Sequence, residues 1–282
     1  MRLQSKQLKN LMLPWDKKFL EEKGSIRPKT ILCGSDGQDI SKIAIKIVKN
    51  LISEIDKKDY TEHHLENIAS SNFYFLKKDP DKSIIPISDL REPRDFLTLS
   101  TPYKRLLFIQ GGEDIRIDGY NSLLKVAEDT ADDTFIYIST NNISTIPSTI
   151  KSRFHISRVP TPTVTEVKEY ISSQNLNLSQ TALHFLSENP KELEKPIDEI
   201  IKKMEKYDNY LQNKDIKSKD KDELSAFADY LIFIEKGRVG LRAKQSLIKL
   251  DNLIDIKKSI NLPNNLSLDV IKLRLNSCLE MV

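Results

Sequence analysis

Few side chains in this sequence combine the types and spacing that chemistry needs. The acids Glu113, Asp114, Asp118, Glu128, Asp129, Asp132 and Asp133 crowd one stretch. Carboxylates in such numbers can hold the divalent cations of a nuclease. Asp132-Asp133, however, precedes an apolar run as a turn precedes a strand, and the group reads as a solvated helix face and that turn. His63 and His64 lie in a polar stretch and His155 in a predicted strand. None has a cysteine or acid at ligand spacing, so all three read as structural, and no metal site is expected. Cys33 and Cys278 are too far apart to form a disulfide framework or zinc pattern. Trp15, next to Pro14, reads as a packing residue. Arg153, after Ser152, offers a planar, permanently charged fork that suits phosphate oxygens. An isolated arginine is more often a surface ion-pair partner, so its meaning depends on the elements around it.

Composition limits those elements. The 282 residues suffice for two or three domains, and 39% hydrophobic with 30% charged residues is a soluble, core-forming balance. A net charge of +3 from 44 basic and 41 acidic residues argues against nucleic-acid binding by bulk charge, while leaving room for a local patch. No stretch has the apolar length of a membrane span, and residues 1–13 lack the unbroken apolar run of a signal peptide. A reducing, cytoplasmic setting is expected.

Six of the eight glycines fall at or before Gly119, so turn chemistry is concentrated in the first half. There, apolar runs at Thr30–Cys33, Asn72–Leu76, Ile84–Ile87, Arg105–Ile109, Thr134–Ile138 and Phe154–Val159 read as strands. Helical periodicity falls between them, in Ile40, Ile43, Ala44, Ile47, Val48 and Leu51 and again over Ile117–Asp129. This alternation predicts an α/β parallel sheet. After Pro160 and Pro162 the patterns are helical: Thr163–Ser173, Ser179–Glu188, Lys191–Tyr210, Leu224–Glu235, Arg242–Ile260 and Ser267–Met281. Lys214–Glu223 is nearly all charged and is expected to be a solvated loop. The expected division is an α/β domain over 1–158, a helical lid over 159–206 and a helical collar over 207–282.

Three segments together resemble the clamp-loader branch of the AAA+ family. Asn121-Ser122-Leu123-Leu124-Lys125-Val126-Ala127-Glu128-Asp129 is similar to its Asn-Ala-Leu-Leu-Lys-Thr-Leu-Glu-Glu helix. The strand Thr134–Ile138 with Ser139-Thr140-Asn141-Asn142 lies where the family carries its first sensor. Ile146-Pro147-Ser148-Thr149-Ile150-Lys151-Ser152-Arg153-Phe154 is similar to Leu-Pro-Thr-Ile-Leu-Ser-Arg-Cys. Leu13-Pro14-Trp15, Asn72-Phe73-Tyr74-Phe75-Leu76, Ile87-Ser88-Asp89-Leu90-Arg91 and Asn265-Leu266-Ser267-Leu268-Asp269 extend the likeness over nearly the whole chain.

The departures from that family concern phosphate. A phosphate loop needs glycines for close approach, a lysine for charge and a Ser or Thr for magnesium. At its position stands Gly34-Ser35-Asp36-Gly37-Gln38-Asp39-Ile40-Ser41, with Asp39 for the last glycine and Ile40 for the lysine. Asp39 is placed to cap the following helix and take the amides an anion would use. The strand that should end in two magnesium-binding acids ends in Gln110 and Gly111. Lys42 remains as a displaced lysine should the loop be shifted.

The resemblance therefore implies a ring member without ATPase activity of its own, holding no cofactor or metal, within a DNA polymerase III holoenzyme. Its implied partners are the ATP-hydrolysing gamma/tau-type subunits and the delta subunit, with the sliding clamp and primed DNA reached through the complex. Arg153, with Ser152 beside it, would act in trans on a neighbour's ATP. Ser139-Thr140-Asn141 would be structural. Two other readings stay open: an active P-loop motor with a rearranged loop, and a non-replicative AAA-like scaffold.

Overall fold

The computed structural model describes residues 12–22, 27–35, 37–98, 103–129, 134–238, 243–261 and 266–280. Five apolar strands build one sheet: β1 Lys29–Cys33, β2 Phe73–Lys77, β3 Arg105–Gln110, β4 Thr134–Thr140 and β5 His155–Arg158. Every pairing is parallel and the spatial order is β2-β3-β4-β1-β5. Successive residues point to opposite faces, and both faces are covered. Ile31, Leu107, Ile109, Ile136 and Ile138 join Leu123, Val126 and Ala127 of α4 (Ile117–Asp129) in one core. Leu32, Leu106, Phe108 and Tyr137 join Ile43, Ile47, Val48 and Leu51 of α2 (Ser41–Asp56) in the other. A sheet buried on both sides explains the near-continuous apolar runs of β3 and β4.

Two further helices flank these elements, α1 (Pro14–Glu22) and α3 (Arg91–Thr98), in stretches where apolar periodicity predicts none. The predicted strand over Ile84–Ile87 is absent: Ile85 alone bridges to Ile115, and a 3-10 turn over Ile87–Leu90 follows Pro86. Proline has no N–H to continue a ladder. A short helix, α5 (Ser148–Lys151), precedes β5 at the sheet edge.

The chain divides into two compact units, Met1–Thr163 with Glu188–Glu194, and Val164–Ser187 with Lys195–Val282. The second is helical: α6 Val164–Ser173, α7 Gln180–Glu188, α8 Ile197–Asn213, α9 Lys221–Arg238, α10 Ala243–Asn261 and α11 Leu268–Glu280. The predicted helix over Lys191–Tyr210 is split, with a 3-10 turn over Pro190–Glu194 and α8 starting only after Pro196. Proline disfavours helical backbone in the residue before it. Aromatic rings fill the core of this unit. Tyr207 and Tyr210 of α8 pack on Phe227 of α9 with centroids 4.9 and 5.2 Å apart, and Phe185 of α7 meets Tyr230 at 5.0 Å. The loop expected to be solvated is anchored: Ile216 and Ser218 are buried, and Glu223 pairs with Lys206 at 2.7 Å.

Candidate functional site

The turn between β1 and α2 lies at the C-terminal ends of the parallel strands, where α/β sheets of this kind bind ligands. Here protein groups fill it. Gly34 N–H donates to Thr140 O at 3.2 Å, joining the tips of β1 and β4. A methyl group on Gly34 would meet Ile40 Cγ2 at 2.4 Å. The glycine that would admit a phosphate thus admits an isoleucine side chain, and Ile40 is only 3% exposed. Buried Gln38 closes the turn: its Oε1 accepts from Ser35 N–H at 2.9 Å and its Nε2 donates to Pro160 O at 2.8 Å. Asn141 Nδ2 donates to the Gln38 carbonyl at 2.9 Å, so the sensor-like tip of β4 also holds the loop. Asp39 Oδ1 accepts from Ser41 N–H at 2.9 Å and occupies an amide of the first helical turn. Asp36 lies outside the described residues.

The residues expected at the magnesium end do come together. Gln110 Nε2 donates to Ser41 Oγ at 3.2 Å. A carboxylate and a hydroxyl placed this way can share a metal ion; an amide that donates to the hydroxyl cannot. Gly111, at φ +85°, turns the chain out of β3, and its N–H donates to Ser139 O at 3.1 Å. Asp114, beyond the strand, pairs with Lys78 at 2.8 Å. These groups line a cleft of about 260 Å³. Lys42, the alternative phosphate lysine, is ion-paired with Glu194.

Glu194 belongs to a strap, residues 188–194, that no sequence motif marks and that packs with the first unit. Lys191 N–H donates to Gly37 O at 3.2 Å, and a methyl group on Gly37 would lie 1.9 Å from Glu188 O. Gly37 is therefore needed for the approach of the strap. The strap also brings Glu194 near Asp16, whose carboxyl is pushed up to about 6 by burial and then by that neighbouring charge. The folded chain thus holds this proton more tightly than the unfolded one, so stability falls as pH rises through about 4 to 6. Asp16→Asn is expected to stabilise the protein by about 1 kcal/mol at pH 7.5, after discounting for solvent screening, with the gain gone below pH 4. Thermal unfolding of both proteins across that range tests this.

Arg153 stands at the opposite side of β1, after α5 and before the edge strand β5. Phe154 turns inward and is buried, which orients Arg153 outward. Its Nε pairs with Glu128 Oε1, and both side chains are 45% exposed. Its Nη1 donates to Thr149 O at 3.1 Å and to Ser152 Oγ at 3.3 Å, and Ser152 Oγ in turn donates to Thr149 O at 3.0 Å. Neither Thr149 O nor Glu128 could have been assigned to Arg153 from spacing alone, although Glu128 lies in the helix motif.

The remaining candidates disperse. Among the described residues no group of three or more His, Cys, Asp or Glu could hold a metal ion, and no helix is long and apolar enough to cross a membrane. His63 packs edge-on against Tyr60, Trp15 is buried, and Cys33 and Cys278 are buried with thiols pushed up by desolvation. Asp132 and Asp133 lie outside the described residues.

No curated protein matches the sequence. Among solved structures, a DNA polymerase III gamma subunit-related protein from Thermotoga maritima is 18% identical, with 94% of this chain and 96% of that one covered at a TM-score of 0.46. A RuvB variant from Thermotoga maritima is 16% identical, with 99% and 83% covered at a TM-score of 0.38. The protein-family model described as "DNA polymerase III, delta subunit" matches residues 17–163. That match spans more than half of the chain, including both strand tips of the phosphate region and Arg153, and the chain therefore belongs to the DNA polymerase III delta-subunit family.

Proposed function

We propose that this chain is the delta-prime-type member of a bacterial clamp-loader ring. It hydrolyses no ATP itself and supplies Arg153 to the ATP of an adjacent gamma/tau-type subunit. The observation that carries this reading is Ile40, buried in the core at the position of the phosphate lysine. The Gln110–Ser41 hydrogen bond supports it independently, since the two groups that should share magnesium bind each other. The ion pair of Lys42 with Glu194 weighs against a motor with a shifted loop. In the ring, the delta subunit and the ATPase subunits are the direct partners, and the sliding clamp and primed DNA are engaged by the assembly. The setting is cytoplasmic. The division into an α/β domain over 1–158, a lid over 159–206 and a collar over 207–282 belongs to the same reading, with the collar as the assembly element.

The isolated protein is accordingly expected to show no ATP hydrolysis and no magnesium-dependent binding of a fluorescent ATP analogue. Micromolar affinity by calorimetry would return the chain to the motor reading. Co-purification of polymerase III subunits from the native host separates the clamp-loader role from that of a non-replicative scaffold.

A further inference from the structure

We infer that Glu128 is a positioning residue for Arg153, fixing its guanidinium by the Nε edge so that the opposite end faces an incoming phosphate. This inference rests on the trans-acting role proposed above for Arg153. Glu128 lies in the last turn of α4, where a carboxylate is disfavoured by the helix dipole. Lys29 Nζ donates to Ala127 O and already satisfies a terminal carbonyl of that helix. Glu128 is left to Arg153. Both side chains of the pair are nearly half exposed, and such a surface pair contributes little to stability. Its geometric effect is larger.

A guanidinium has five N–H donors in a fixed plane. Glu128 Oε1 pairs with Nε as an ion pair, and Nη1 donates to Thr149 O and Ser152 Oγ. Contacts from two different elements, α4 and α5 with its C-terminal residue Ser152, hold both the position and the plane of the fork. Among the described residues Nη2 makes no hydrogen bond, and with the side chain 45% exposed this donor is left for phosphate oxygens. Holding a long, flexible side chain in its working geometry before the phosphate arrives removes an ordering cost from the reactive complex.

The test uses a reconstituted clamp-loader complex with its sliding clamp and primed DNA. Glu128→Ala is expected to lower the clamp-loading rate about tenfold with an unchanged unfolding midpoint of the isolated subunit. Glu128→Gln, which keeps the side-chain length and a carbonyl oxygen facing the guanidinium, should restore most of the rate. In an Arg153→Ala background, Glu128→Ala should have no further effect. Wild-type or faster loading by Glu128→Ala would overturn the inference, the latter showing that Glu128 restrains the arginine. Equal losses with Ala and Gln, additive to Arg153→Ala, would overturn it too. Wild-type loading by Arg153→Ala alone would instead refute the trans-acting role, which separates the two failures.

Discussion

In a reconstituted ring, Arg153→Ala is expected to assemble normally and to lose most clamp loading, with a partial loss of DNA-stimulated ATPase. An arginine supplied in trans to a transferring phosphoryl group is worth about 10³–10⁵ in rate in other systems. On the proposed role, a ring with several ATP sites receives this arginine at one of them, so total ATPase should report only part of the loss. Clamp loading, if it needs every site, reports all of it. Folding should be unaffected, because Arg153 is half exposed and its ion pair with Glu128 contributes at most about 1 kcal/mol. Arg153→Lys should rescue poorly, since an ammonium keeps the charge and loses the planar fork. Pre-steady-state loading assays on the three complexes decide the matter. Wild-type loading by the alanine variant would reduce Arg153 to a surface residue.

Loss of assembly is expected from charges placed on the last two helices. Leu247 and Ile248 of α10 and Val270 and Leu273 of α11 are exposed apolar side chains, 41–68% accessible, in the part of the chain assigned to ring contacts. Ile248→Glu with Leu273→Glu should leave a folded subunit and abolish its entry into the complex, because a buried carboxylate without a partner is costly. Gel filtration of the mixed subunits, with circular dichroism of the variant alone, measures both. Undiminished assembly would remove the collar assignment. Deleting residues from 224 onward is a poorer test. It removes Phe227 and Tyr230, which cover Tyr207 and Phe185, and so strips the core of the second unit as well as its surface.

The sheet was legible because its signal is local. Buried parallel strands read as continuous apolar runs, and the spacing of Ile40, Ile43, Ile47 and Leu51 marks one helix face in the sequence itself. Proline at 86 and at 196 was equally visible, yet a pattern of apolar residues outweighed it in both predicted segments, and both predictions were displaced. Helices α1 and α3 carry too few apolar residues for their period to stand out. In the candidate site, Ser41 and Gln110 were predicted as two positions of one machine, and the structure places them 3.2 Å apart. What no motif could supply were contacts between residues distant in sequence. Glu194 on Lys42, Glu188 against Gly37 and Glu128 on Arg153 depend on the path of the chain rather than on spacing.

The strap has a consequence for how this subunit responds to its surroundings. A ligand that binds only the folded state stabilises a protein in proportion to the logarithm of its concentration. In a subunit whose loop holds ATP, fold and cellular energy charge are therefore linked. Here the group resting against the loop is tethered to the same polypeptide, and its local concentration is set by chain length. The loop is braced by a neighbour that never diffuses away. The loop should keep one shape whether ATP is plentiful or exhausted; on the proposed reading, the ring then has one member whose conformation is insulated from the fuel its neighbours consume.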